Sequence, residues 1–175
     1  MLDKTPRSAS SGRTLEACLK PAISAGGIKA SVAQAVIALA EGAIVISDLI
    51  ARGPLAGSLG AITGDANADG DDQKELDVQA NEAILSGLSK TSTAYYASEE
   101  EDVILTLSPD GDLAIAVDPL DGSSNIDANV SIGTIFSVLP ASVEGASASF
   151  FRPGREQLAA GYVIYGPHTA LVLTL

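Results

Sequence analysis

The sequence predicts an α+β fold in which N-terminal helices pack on a mixed, largely antiparallel sheet. Apolar residues in the first half recur at three- and four-residue spacing, whereas after residue 92 they alternate or form short apolar blocks. The strand-like blocks follow one another with turns between them, and the helices precede them instead of alternating with them. The 175 residues, 46% of them hydrophobic, suffice for one domain with its own core. With four Tyr, three Phe and no Trp, that core must be built mainly from Ala, Val, Ile and Leu.

Each element has its own signal. Residues 1–12 read as a loose tail, and 1–28 together as a flexible tail and short helix ahead of a domain over 29–175. The short helix starts at 14–19 and should stop near Pro21. From 31 to 51, Val32, Val36, Leu39, Ala43, Ile46 and Ile50 lie on one face of a helix that Gly53-Pro54 ends. A loop rich in Gly, Ala and Asp fills 57–72. A second helix over 74–88 should bury Leu76, Ala80, Ala83, Ile84 and Leu88.

The period then changes. Strands are expected at 93–98, 103–107, 113–118 and 130–139, the second and third joined by Ser108-Pro109-Asp110-Gly111, which has good turn chemistry. An Arg152-Pro153-Gly154 turn leads into a hairpin of 158–165 and 169–175 around Gly166-Pro167-His168, which makes His168 a turn residue. The run Ala170-Leu171-Val172-Leu173 is apolar at consecutive positions, so both faces of that strand should want cover. No polar segment follows Leu175 to supply it, and a further part of the fold is expected to be missing.

Composition excludes several classes. One Cys and one His cannot build a disulfide framework or a Cys/His zinc cluster, and Cys18 reads as a small core residue. No signal-peptide core follows the basic residues of the N-terminus, and the longest apolar segment carries Glu41 and Asp48, so a cytoplasmic protein without membrane contact is expected.

Charge is concentrated. Sixteen of the 22 acidic residues, but only two of the ten basic ones (Lys74 and Lys90), lie between Asp65 and Asp127. The rest of the chain is close to neutral. Such a stretch repels nucleic acid and attracts cations.

The chemistry centres on Asp118-Pro119-Leu120-Asp121-Gly122-Ser123-Ser124-Asn125. An apolar strand delivers Asp118 to its C-terminal end, where Pro119 should stop the ladder. Two acids three residues apart across a bend, with a carbonyl such as that of Leu120, offer the hard oxygen ligands that Mg²⁺ prefers. The small residues Gly122, Ser123 and Ser124 leave backbone N–H groups free to hold a phosphate. Upstream, Ser98-Glu99-Glu100-Glu101 ends another strand and places carboxylates at the same kind of sheet edge. Asp71 and Asp77 bracket the start of the second helix, where an isolated Asp77 would read as a helix cap.

The stretch 118–136, DPLDGSSNIDANVSIGTIF, resembles the signature of the class 1 fructose-1,6-bisphosphatase family. The likeness extends to LDVQAN at 76–81, SEEE at 98–101 and AAGYVIYGPHTALVLTL at 159–175. DPLDG alone would also fit the inositol monophosphatase relatives, whereas Asn125-Ile126-Asp127 and the Gly-Thr-Ile-Phe run favour the bisphosphatases. The resemblance implies the first half of the sugar phosphatase fold. It implies that Asp71, Glu99, Asp118, the Leu120 carbonyl and Asp121 bind metal, and that Asp77 and Glu100 orient and deprotonate the attacking water. It also implies that Asp121, Gly122, Ser123 and Ser124 cradle the sugar 1-phosphate. The implied activity is Mg²⁺-dependent hydrolysis of fructose 1,6-bisphosphate to fructose 6-phosphate, with Mn²⁺ a possible substitute and a homo-oligomer as the complete form.

Departures from the family pattern carry their own expectations. The further metal-binding Glu and the residues that grip the sugar and 6-phosphate belong to the family's C-terminal half and have no match here, so the chain alone should be nearly inactive. Gly26-Gly27-Ile28 and Asp112-Leu113 replace the residues of the AMP-inhibited members, which speaks against AMP regulation at the usual site. The alternatives are a sedoheptulose-1,7-bisphosphatase or dual-substrate relative, and a non-catalytic remnant that binds cations or docks to an intact subunit.

Overall fold

The computed structural model describes residues 12–52, 62–66, 72–126 and 130–175. Helix α1 (Leu15–Ser24) is capped by Thr14, whose Oγ1 accepts from the Ala17 N–H at 3.2 Å. It runs past Pro21 instead of stopping there. The carbonyl that loses its partner belongs to Ala17, which is exposed, so water can satisfy it. Cys18 is exposed and not a core residue; Leu19 beside it is the one that enters the core.

Helix α2 (Ala30–Arg52) buries Val32, Val36, Leu39, Ala43 and Ile46, on the face the spacing marks, while Ile50 is only partly buried. By length and composition it could cross a bilayer, a point the sequence reading rejected on account of Glu41 and Asp48, but half of its apolar window is buried within the fold. Helix α3 (Glu75–Leu88) packs on it through Leu76, Ala80, Ile84 and Leu88. The helices meet at Gly42, where any Cβ would lie 2.7 Å from Ile84 Cδ1. Between the helices, Ile62–Ala66 (β1) pairs antiparallel with Asp72–Lys74 (β2), where a loop was expected. The expected stop at Gly53-Pro54 lies outside the described residues.

A six-stranded sheet forms the second layer, with β3 (Thr93–Ser98), β4 (Leu105–Thr106), β5 (Leu113–Asp121), β6 (Ile132–Pro140), β7 (Ala159–Tyr165) and β8 (Ala170–Thr174). Its order is β4-β3-β5-β6-β7-β8; β3 and β5 are parallel and every other pair antiparallel. The mixed, largely antiparallel sheet under N-terminal helices is the fold class the sequence predicts. Strand β4 is shorter than the expected 103–107, and α4 (Ala146–Phe150), which the sequence reading missed, lies against β5 and β6.

One face of the sheet carries Leu113, Ile115, Val117, Phe136, Val138, Val163 and Tyr165 into a core shared with the helices. The other face is largely open. Ile135, Tyr162 and Val172 are cross-strand neighbours in one row, all substantially exposed, and Ile164 is exposed on the next. In β8, Leu171 and Leu173 pack against the core while Val172 and Thr174 face outward. Only one face of that apolar strand is covered here.

Candidate active site

Strand direction assembles the site. Because β3 and β5 run parallel and adjacent, both C-terminal ends reach the same edge of the sheet. Ser98 pairs with Val117, so the next residues, Glu99 and Asp118, emerge side by side, and the Glu99 N–H is tied to the Val117 carbonyl at 3.2 Å. Their carboxyl groups stand close enough to act on one another. Burial pushes the Asp118 carboxyl up to about 7, and the neighbouring Glu99 carboxyl and the Asp121 charge push the same way. The Leu120 N–H, donating to Asp118 Oδ1 at 3.0 Å, opposes them.

Pro119 does not end the ladder as expected. The strand continues to Asp121 through a bulge: Asp118 pairs with Ile135 and Asp121 with Gly133. Residues three apart on a regular strand face opposite sides, but one extra residue restores the phase. Asp118 and Asp121 therefore share the open face, while Leu120 turns into the core at 2% exposure. The missing Pro119 N–H costs nothing inside the bulge, and the Pro119 carbonyl accepts from Thr134 Oγ1 at 2.8 Å. Thr134 has one proton to give, so at 2.6 Å the Tyr165 hydroxyl must donate to Thr134 Oγ1.

Past Asp121, Gly122 adopts a left-handed φ of 79° and opens a single 3₁₀ turn, Ser123–Asn125, closed by Asn125 N–H donating to the Gly122 carbonyl at 2.8 Å. Any Cβ at Gly122 would sit 3.2 Å from Asn125 Nδ2. Asp77 lies inside the first turn of α3, not at its cap, and is 2% exposed. Glu100 follows Glu99 in the turn after β3, and its N–H donates to Ser98 Oγ at 3.2 Å. Asp71 falls outside the described residues, as do residues 127–129 of the signature stretch.

Sequence reasoning overlooked a buried polar network behind these acids. Asn81 accepts from the Tyr96 hydroxyl at 2.6 Å and from Ser98 Oγ at 2.9 Å, and donates to Glu101 Oε1 at 2.7 Å. The signal was present: Asp77 and Asn81 sit four residues apart in register with Ile84 and Leu88 on the core-facing stripe of α3, where polar side chains need a reason. Thr134 and Tyr165 were overlooked as well, and nothing in their spacing distinguishes them from ordinary strand residues.

Among the described residues, no three acidic, His or Cys side chains are gathered closely enough to form a complete metal cage. What exists is the Glu99–Asp118 pair with Asp121 on the same face. An all-oxygen donor set whose charges crowd one another suits a hard dication. A groove of about 720 Å³ leads along the open sheet face to Glu99 and Asp118.

The family model for the fructose-1-6-bisphosphatase N-terminal domain matches residues 21–175. The chain is 49% identical over 166 residues to a class 1 fructose-1,6-bisphosphatase of Azorhizobium caulinodans, covering 93% of this chain and 51% of that protein. It is 56% identical over 150 residues to one of Xanthobacter autotrophicus, covering 83% and 46%. The Leishmania major fructose-1,6-bisphosphatase in holo form superposes with a TM-score of 0.78 at 38% identity, over 89% of this chain and 51% of that one. A Toxoplasma gondii chain provisionally described as a sedoheptulose-1,7 bisphosphatase gives 0.74 at 25% identity, over 90% and 49%. The chain spans about half the length of the relatives it matches.

Proposed function

The chain belongs to the class 1 fructose-1,6-bisphosphatase family, and from that premise we propose that residues 29–175 supply the cation- and 1-phosphate-binding half of a fructose-1,6-bisphosphatase. The contact between Glu99 and Asp118, with Asp121 brought to the same face by the bulge, is the observation that carries this reading. Glu99, Asp118, Asp121 and the Leu120 carbonyl, with Asp71, hold Mg²⁺, for which Mn²⁺ can substitute. Such an ion, when bound, lowers the pKa of water and offsets charge on the phosphate.

The chain's own residues do the rest. Gly122, Ser123 and Ser124 present backbone N–H groups to the sugar 1-phosphate, a role that the left-handed Gly122 and its tight turn suit. Asp121 would serve both the cation and the phosphate. Asp77 and Glu100 orient the attacking water and take its proton as the new O–P bond forms; the ester P–O bond breaks and the departing sugar oxygen takes up a proton from solvent to become the alcohol. The products are fructose 6-phosphate and phosphate. The reading includes a cytoplasmic homo-oligomer as the complete form.

Mn²⁺ titration of the chain, with phosphate release from fructose 1,6-bisphosphate in Mg²⁺, tests the proposal. Saturable Mn²⁺ binding that Glu99→Gln and Asp118→Asn each weaken is expected, with turnover far below the ~10 s⁻¹ of a typical enzyme. Binding that neither substitution affects would remove the basis for the site. The likeness to the Toxoplasma gondii chain supports a second reading, in which sedoheptulose 1,7-bisphosphate is a substrate too. Comparing the two bisphosphates on a version carrying both halves separates them. Cation binding with no hydrolysis in that longer version would leave the non-catalytic remnant.

A further inference from the structure

We propose that Asn81 is a positioning residue that fixes the turn at Ser98–Glu101, and with it Glu99 and Glu100, relative to α3. The amide reaches this turn by two routes. Its Oδ1 accepts from Ser98 Oγ, which in turn accepts from the Glu100 N–H; its Nδ2 donates to the Glu101 carboxylate. Glu99 and Glu100 are thus bracketed by Ser98 on one side and Glu101 on the other, both tied to a single side chain.

The orientation of the amide follows from its partners. Two hydroxyls, of Tyr96 and Ser98, can both donate to an oxygen, and a carboxylate can only accept. A reversed amide would set its oxygen against the Glu101 carboxylate. Three of its four bonding positions are filled while Asn81 is 6% exposed, so the network is satisfied and rigid.

Asn81 also lies one helical turn from Asp77, and both are buried on the same stripe of α3. The side chain that anchors the glutamates is therefore fixed to the helix that carries Asp77. The consequence for chemistry rests on the roles proposed above for Asp77, Glu99 and Glu100; the mechanical claim about the turn does not.

The test combines amide hydrogen exchange with Mn²⁺ affinity on the full chain. Asn81→Ala should raise exchange of the Glu100 and Glu101 amides about tenfold or more while β5 amides keep their protection. It should weaken Mn²⁺ by about 10–100-fold, as loss of a partner behind a metal ligand does. Glu101→Ala should act in the same direction, and Glu101→Gln, which keeps an acceptor for Asn81, should restore the wild-type turn. Unchanged exchange in Asn81→Ala, or identical behaviour of Glu101→Ala and Glu101→Gln, would overturn the proposal. If Asn81→Ala unfolds, the Glu101 pair decides alone. Glu99→Gln separates the two claims: if it binds Mn²⁺ normally while Asn81→Ala loosens the turn, the metal reading has failed and the positioning role stands.

Discussion

The hydroxyl of Thr134 on β6 donates to the carbonyl of Pro119 across the bulge of β5, giving that buried acceptor a side-chain partner where the register shifts. Thr134→Val keeps the shape of the side chain but strands the Pro119 carbonyl and the Tyr165 hydroxyl in a buried place. Urea unfolding should show a loss of about 1–3 kcal/mol. Tyr165→Phe leaves the Thr134–Pro119 bond in place and should cost less. If the two variants are equally mild, the bulge does not depend on this relay.

In the cation-free chain, Asp118 should make stability fall as pH rises. Its folded pKa of about 7 lies above the ordinary 3.8, so between those values the folded state holds a proton that the unfolded state releases. The stabilisation is complete below about pH 4 and gone above about pH 7. The group is partly solvated, so screening reduces the effect to about 1–2 kcal/mol. Thermal unfolding in EDTA at pH 5 and pH 8 should show Asp118→Asn flattening the slope. Parallel profiles for variant and wild type would contradict this.

Gly111 has no room for a methyl group. Its Cβ would lie 2.5 Å from Ala94 N and 2.6 Å from the Ser92 carbonyl, both backbone atoms that cannot rotate aside. Gly111→Ala should destabilise by about 1–3 kcal/mol through this overpacking. Gly154→Ala, with open space around it, is the control and should leave the urea midpoint nearly in place.

The row Ile135, Tyr162 and Val172 should bind an apolar dye such as ANS in the folded state, because contiguous exposed apolar surface of this kind is uncommon. Val172→Lys should lower the dye signal while changing stability by no more than about 0.5 kcal/mol, since the side chain faces outward. An unchanged signal would place the dye elsewhere.

The helices and strands were legible because burial writes a period into the sequence: α3 buries four of the five residues that its spacing marks, and Ala83 falls at the edge of the stripe. The acids at the strand ends were legible for a similar reason, since apolar runs point to where Asp118 and Glu99 emerge. The bulge was not. Pro119 reads as a terminator, and only the register with β6 shows that one surplus residue is absorbed and that Asp121 is thereby turned to the side of Asp118. Nor was the network of Asn81, because hydrogen bonds between residues 15 to 20 positions apart leave no local pattern.

The parallel alignment of β3 with β5 also guards against its own errors. Slipping β5 by one position would turn Asp118 under the helices and Val117 out to water, exchanging a buried apolar side chain for a buried charge. A mispaired chain would thus be penalised at the very residue on which the chemistry is proposed to depend, and the acids proposed to hold a cation double as a proofreading device for the sheet.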